Sequence, residues 1–390
     1  MIDYSKVLNN TVKEIKPSGI RKFFDIAATM DDVISLGVGE PDFQTPWQIR
    51  KAGINSLEHG KTKYTSNKGN IKLLKEISNY MERKFSLSYC PDNQILVTVG
   101  GSEAIDAAIR AIVSPGDEVI IPQPSYVCYE PITRLAGGVP VIINTKAEND
   151  FKVTPEELKS AISDKTKVLI LPYPCNPTGA IMEKEDIKAL SDVLKDTNII
   201  VLSDEIYAEL TFNDSKHVSP ASVEGMYERT ITINGFSKAF SMTGWRLGFA
   251  CGPEEIIEQI IKIHQFAIMC APTTSQYAAV EALKSCDNDV EYMLNEYNMR
   301  RRMMVSGFNK IGLTCREPKG AFYAFPSIES TGMTSDEFCE KLLHSKKVAV
   351  VPGTAFGESG EGFIRASYCY SVEHINEAIK RIGEFLQEIS

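Results

Sequence analysis

The segment Asn234-Gly235-Phe236-Ser237-Lys238-Ala239-Phe240-Ser241-Met242-Thr243-Gly244-Trp245-Arg246-Leu247-Gly248 sets a lysine among small and apolar residues, just past the apolar run Thr230–Asn234. A lysine in a loop is ordinarily a solvated surface group. Burial penalises its ammonium form, lowers its pKa and leaves an amine able to act as nucleophile and base. Arg246 follows eight residues later, within reach of an anion beside that amine.

Three other segments sit at the ends of apolar runs. Ile199–Ser203 leads into Asp204-Glu205-Ile206-Tyr207. A carboxylate leaving a buried strand is costly unless it meets a cation or donor, although an Asp that only caps a helix reads the same way. Lys167–Leu171 leads into Tyr173-Pro174-Cys175-Asn176-Pro177-Thr178-Gly179. Its prolines fix the backbone around Asn176 and aim the amide; a rigid loop with a surface Asn is the plainer reading. Gln94–Val99 leads into Gly100-Gly101-Ser102-Glu103, where the glycines turn the chain and Ser102 stands near a helix N-cap. Free N–H groups and the helix dipole make such a start a phosphate cradle, though a simple capping turn looks alike. Tyr126, in Pro122-Gln123-Pro124-Ser125-Tyr126, is either a stacking ring or a core aromatic.

Taken together these groups answer one requirement. Pyridoxal phosphate needs a lysine for its aldehyde, an acid facing its pyridine nitrogen, donors for its phenolic oxygen, an anion cradle for its phosphate and a ring to stack on. Lys238, Asp204, Asn176 with Tyr207, Ser102 with Arg246, and Tyr126 fill those places.

Such groups must be carried by strand ends, and the middle of the chain supplies strands. Gln94–Val99, Glu118–Ile121, Val139–Ile143, Lys167–Leu171, Ile199–Ser203 and Thr230–Asn234 are short β-branched runs, with amphipathic stretches such as Thr154–Ser163 and Lys184–Asp196 between them. This alternation predicts an α/β fold with a mostly parallel sheet covered on both faces. Beyond about residue 290 the pattern changes to a long charged helix, Glu291–Ile311, strands near Ala321–Phe325 and Val348–Val351, and a final helix, Ser371–Ile389. The expected organisation is a large domain over 46–285 and a smaller α+β domain from 286–390, joined by the N-terminal segment 1–45.

Composition excludes other classes. With 390 residues, 43% apolar and 24% charged, the chain has ample material for large cores and is not a disordered one. Its net charge of −9 speaks against nucleic acid as a partner. No run approaches the roughly 20 apolar residues of a membrane span, and the N-terminus does not read as a signal peptide. Nine cysteines with no CxxC pair, and 5 histidines without ligand spacing, predict no metal, no disulfide framework and a cytoplasmic setting.

On these residues the chain resembles the class I/II pyridoxal-phosphate aminotransferases of fold type I, essentially end to end. The resemblance is carried by Gly39-Glu40-Pro41-Asp42-Phe43, Lys63-Tyr64-Thr65, Asn176-Pro177-Thr178-Gly179, Ser203-Asp204-Glu205-Ile206-Tyr207, Ser237-Lys238 to Gly248, and Gly362-Phe363-Ile364-Arg365. Ser18-Gly19-Ile20-Arg21-Lys22-Phe23 and Ile263-His264-Gln265 are similar to the bacterial aromatic-amino-acid and N-acetyl-diaminopimelate branch. The family implies a seven-stranded, mostly parallel sheet between helices, a smaller α+β domain and a homodimer with shared sites. It implies that Lys238 holds the cofactor and then moves a proton between the substrate Cα and C4′. Asp204 would pair with the pyridine nitrogen, Asn176 and Tyr207 would donate to the 3′-oxygen, and Gly101, Ser102, Glu103 and Arg246 would bind the phosphate. Tyr64 would reach the phosphate in the neighbouring subunit. Arg365 would take the substrate carboxylate, helped by Asn176 and Gly39. Arg21, with Ile20, Phe23 and Phe24, is the candidate for selecting the side chain.

One departure concerns the phosphate. Many relatives place a serine three residues before the lysine, where this chain has Gly235, so Ser237, or Ser102, Tyr64 and Arg246, would have to serve instead. The implied activity is transfer of an amino group from an aromatic, aspartate-type or N-acetyl-diaminopimelate-type donor to a 2-oxo acid such as 2-oxoglutarate, by a ping-pong route. A C–S β-lyase of the same fold would use the same lysine, aspartate and arginine. A regulator that binds the cofactor without turnover is the alternative from another class.

Overall fold

The structure, a computed structural model, describes residues 2–17, 19–20, 30–213 and 215–389. Twelve strands are present among them: β1 (Ile34–Ser35), β2 (Ile95–Thr98), β3 (Glu118–Gln123), β4 (Val139–Asn144), β5 (Thr166–Leu171), β6 (Ile200–Asp204), β7 (Thr230–Gly235), β8 (Gly248–Cys251), β9 (Tyr323–Ala324), β10 (Val348–Ala349), β11 (Val351–Pro352) and β12 (Ile364–Ser367). The six apolar runs of the middle chain become β2 to β7, with ends shifted by one or two residues.

These six join β8 in a seven-stranded sheet of order β2-β8-β7-β6-β5-β3-β4. β8 runs antiparallel to both neighbours, and the other pairs are parallel. β2 and β7 therefore point the same way although β8 lies between them. The sequence reading had no strand at Gly248-Phe249-Ala250-Cys251, because four residues with a leading glycine and no β-branched side chain carry little strand signal.

The sheet is covered on both faces, so its central strands read as continuous apolar runs rather than alternating ones. On one face the helices Ile71–Phe85 and Thr273–Ser285 bury Leu73, Leu74, Ile77, Ala278 and Ala282 against Val97, Phe249 and Cys251. On the other, the helices Gly100–Ile112 and Glu254–Ala267 bury Ala104, Ala108, Ile257 and Ile260 against Ile170, Leu202 and Ile233.

A separate core lies toward the C-terminus. The helix Asp287–Lys310 starts four residues ahead of the expected Glu291 and buries Val290, Met293, Tyr297, Arg300, Arg301, Met304 and Phe308 at spacings of three, four and one. With the helices Ser335–Lys346 and Val372–Ile389 it packs on β9 and β12. The expected single strand Val348–Val351 is two: β10 pairs with β1 in parallel, and β11 joins the antiparallel sheet β11-β12-β9. The N-terminal segment is thereby tied into this part of the molecule through Ile34 and Ser35. No helix among the described residues is long and apolar enough to cross a membrane, and all nine cysteines are free, six of them buried.

Two glycines let β8 reach the start of the helix Gly100–Ile112. Gly235 and Gly248 are cross-strand partners in β7 and β8. A Cβ on Gly248 would lie 2.7 Å from both Gly100 C and Gly101 N, backbone atoms that cannot swing aside. A Cβ on Gly235 would stand 3.0 Å from Gly248 Cα. This answers the departure noted above: a side chain at 235 would press on the partner strand. Gly248→Ala should therefore destabilise the protein by about 1–3 kcal/mol through overpacking, read as a lower urea midpoint at unchanged slope.

Candidate active site

Parallel strands deliver their C-terminal ends to one edge of the sheet, where α/β proteins bind ligands. β5 leads to Asn176, β6 ends at Asp204, β7 leads to Lys238, and β2 runs into the helix beginning at Gly100. β12 brings Arg365 from the C-terminal core. These elements enclose a cavity of about 550 Å³. Of the residues expected at a site, Gly39, Gly101, Ser102, Tyr126, Asn176, Asp204, Tyr207, Ser237, Lys238, Arg246 and Arg365 line it, and so does Ile20.

Lys238 is partly buried, and its Nζ donates to Gly39 O at 2.7 Å. Nζ lies 5.8 Å from the Tyr207 ring centre and 5.5 Å from that of Phe322. Burial pulls its pKa down to about 8; Cys369 opposes the shift and the Arg365 charge adds to it. Asp204 accepts from Tyr129 Oη at 2.7 Å and from the Ile206 N–H at 3.2 Å. Burial raises its pKa, while the Tyr129 hydroxyl and the Ile206 N–H oppose the rise. Tyr207 follows in a turn rather than a helix, with the Leu210 N–H closing on Tyr207 O, and its hydroxyl is 2.9 Å from that of Tyr323.

Arg365 is buried, and its hydrogen-bond partners are neutral. It donates to Asn176 Oδ1 at 2.9 Å and to Gly37 O. Its guanidinium lies over the rings of Tyr323, at 4.4 Å, and Phe356, at 4.8 Å. Its Nε is buried with no hydrogen-bond partner. Burial lowers its pKa, and the surrounding tyrosines oppose that. Arg246 has φ +51° and stretches over the helix start: a Cβ on Gly100 would lie 2.7 Å from its Nη2, and its Nη1 donates to Thr243 O at 3.1 Å.

Two expected residues, Glu103 and Tyr64, stand outside the cavity. The helix begins at Gly100 with Val99 as its N-cap, so Ser102 lies inside the first turn instead of beside the cap. That places the Glu103 carboxylate on the back of the turn, where it accepts from the Val99 N–H and meets His264 Nδ1; its side chain does not line the cavity. Tyr64 is 81% exposed and does not line the cavity of its own chain. Arg21, with Phe23 and Phe24, lies outside the described residues. Tyr129 and Tyr323 were missed. Tyr129 sits one helical turn past Tyr126, and Tyr323 lies in a strand whose neighbours are all apolar; neither carries a local signal of its partner.

The donor set fits pyridoxal phosphate. Asp204 is a buried carboxylate whose direct partners are neutral, which suits a protonated ring nitrogen. The first N–H groups of the helix Gly100–Ile112 and the Arg246 guanidinium, brought together by a glycine with no Cβ, suit a phosphate. Among the described residues no group of three or more His, Cys, Asp or Glu is placed to hold a metal ion.

Comparison with known proteins agrees with this geometry. The family described as aminotransferase class I and II matches residues 31–382. The chain belongs to the class I and II aminotransferases. The family is pyridoxal-phosphate dependent, and its members act on amino and 2-oxo acids. The chain is 46% identical to an aspartate aminotransferase of Pyrococcus abyssi, covering 96% of this chain and 97% of that one. It is 43% identical to a chain of Bacillus subtilis named probable N-acetyl-LL-diaminopimelate aminotransferase, over 97% and 96%. The crystal structure of an aromatic aminotransferase from Pyrococcus horikoshii superposes with a TM-score of 0.90 at 43% identity, over 94% of this chain and 99% of that one.

The lysine can be checked directly. In cofactor-free protein, 13C-methylated Lys238 should titrate near pH 8 by NMR, well below the ~10.4 of a solvated lysine. Between those values the unfolded chain holds a proton that the folded one has lost, so this group makes stability rise with pH across that window.

Proposed function

We propose that this aminotransferase moves the α-amino group of an L-amino acid to a 2-oxo acid such as 2-oxoglutarate, in two half-reactions, with pyridoxal phosphate linked to Lys238. The observation that carries the reading is one cavity holding a partly buried lysine, a buried carboxylate and a buried guanidinium, none of the three in an ion pair among the described residues. The similar proteins named for aspartate, N-acetyl-diaminopimelate and aromatic substrates support donors of those three kinds.

When bound, the cofactor supplies an electron sink for the substrate Cα. Asp204 would face its ring nitrogen and favour the protonated form there. Asn176 and Tyr207 would donate to the 3′-oxygen, Tyr126 would stack on the ring, and Gly101, Ser102, Ser237 and Arg246 would hold the phosphate. Arg365 takes the substrate carboxylate with Asn176 and the backbone of Gly39, which fixes Cα against the lysine. Lys238 Nζ would take the substrate Cα proton and return it at C4′. Its lowered pKa keeps a usable share of the amine neutral near pH 8.

Two assembly features belong to the same proposal. A homodimer with shared sites is supported by Tyr64, exposed on its own chain and available to a neighbour's phosphate. A division into 46–285 and 1–45 with 286–390 is supported by the helices on either side of residue 286: Thr273–Ser285 packs into the sheet core and Asp287–Lys310 largely into the C-terminal one. The free cysteines are in keeping with a reducing cytoplasm.

Adding single L-amino acids to cofactor-loaded protein should convert the visible band of the lysine-bound cofactor to the pyridoxamine band, and a 2-oxo acid should restore it. A band that persists while sulfur amino acids yield pyruvate and ammonia would instead mean a C–S lyase. Lys238→Ala should abolish turnover. Arg365→Ala should lower kcat/KM by about 2–5 kcal/mol, roughly 30-fold or more, with the cofactor spectrum nearly unchanged.

A further inference from the structure

Tyr323 enters the cavity from β9 and touches three parts of the proposed machinery at once. Its hydroxyl is 2.9 Å from that of Tyr207. Its ring lies against the Arg365 guanidinium at 4.4 Å, which also meets the Phe356 ring at 4.8 Å. A Cβ on Gly39 would come within 2.0 Å of its hydroxyl oxygen, so that oxygen rests directly on the residue whose carbonyl receives Lys238. The side chain is 1% exposed, and the titratable groups facing it are Arg365, Tyr207, Cys369 and Tyr126.

A residue that only filled space would need neither the hydroxyl contact nor the stacking. Either hydroxyl of the tyrosine pair can donate. Once Tyr207 donates to an anionic oxygen, its own lone pairs can accept, and Tyr323 is placed to donate to them. A donor that itself accepts is polarised, and each bond in such a chain is strengthened by about 10–30%. The ring does separate work. A guanidinium against two aromatic rings keeps its plane fixed while its edge stays open to a carboxylate.

We infer that Tyr323 is a positioning residue with two separable parts: its hydroxyl backs Tyr207 as donor to the cofactor 3′-oxygen, and its ring holds Arg365 for the substrate carboxylate. This rests on the proposed cofactor site.

The test uses the cofactor-loaded protein and the variants Tyr323→Phe and Tyr323→Met. The visible band of the bound cofactor is titrated with pH, and the dissociation constant of L-glutamate is read from single-turnover half-reactions. Loss of the proton that governs the band leaves negative charge on the 3′-oxygen, so a weaker donor at Tyr207 raises the midpoint. Tyr323→Phe should move the midpoint up by at most about one pH unit, the worth of one hydrogen bond, with the glutamate constant within about twofold. Tyr323→Met should show the same upward move and also weaken glutamate about 3- to 30-fold, the range of a lost cation–π contact. An unmoved midpoint in Tyr323→Phe overturns the hydroxyl's role, and the Phe variant keeps the packing needed to fold. Equal glutamate constants in the two variants overturn the ring's role. A wild-type protein that takes up no cofactor refutes the site itself, a distinct result.

Discussion

The structure turns on three ionisable groups drawn largely out of water in one cavity, none of them in an ion pair among the described residues. An ion buried in a protein costs several kcal/mol even after relaxation. Asp204 and Arg365 are buried and Lys238 partly so, and each hydrogen-bonds to dipoles instead of opposite charges: the Tyr129 hydroxyl, the Asn176 amide and the Gly39 carbonyl. Dipoles offset part of the cost and leave each group with bonding capacity to spare. A cofactor and substrate that bring an aldehyde, a pyridinium and a carboxylate complete what the protein leaves open.

The rest of the fold serves that arrangement. A parallel sheet puts the ends of β5, β6 and β7 on one edge, so groups more than sixty residues apart in sequence share a cavity. The antiparallel β8 is the exception with a purpose. It returns the chain from Lys238 past Arg246 and, through Gly248, lets the helix start at Gly100 sit against the sheet. The C-terminal core contributes Arg365 on β12 and Tyr323 on β9, so the cavity is formed only where the two cores meet.

Much of this was legible in the sequence because the signals were local. Buried parallel strands read as β-branched runs, and Lys238, Asp204 and Asn176 each follow one directly. What was lost lay in pairings across the chain. Tyr129 finds Asp204 from 75 positions away and Tyr323 finds Tyr207 from 116. Both tyrosines sit in segments whose composition says only that they are buried. Glu103 was misplaced for a related reason: a carboxylate three residues into a helix can face the ligand or turn back to its own N-terminus, and the partner that decides, His264, is on another helix. β8 failed on propensity, since Gly and Ala carry no strand preference and tertiary packing alone makes them extended.

The central claim is that the ligands supply the charges the protein leaves unpaired. It is tested most directly by a crystal structure of the protein with pyridoxal phosphate and an amino-acid ligand. The account predicts Lys238 Nζ bonded to the cofactor, Asp204 against the ring nitrogen, and the ligand carboxylate accepting from Arg365 Nε, the buried atom that now has no partner. A carboxylate bound elsewhere, with that nitrogen still unpartnered, would contradict it.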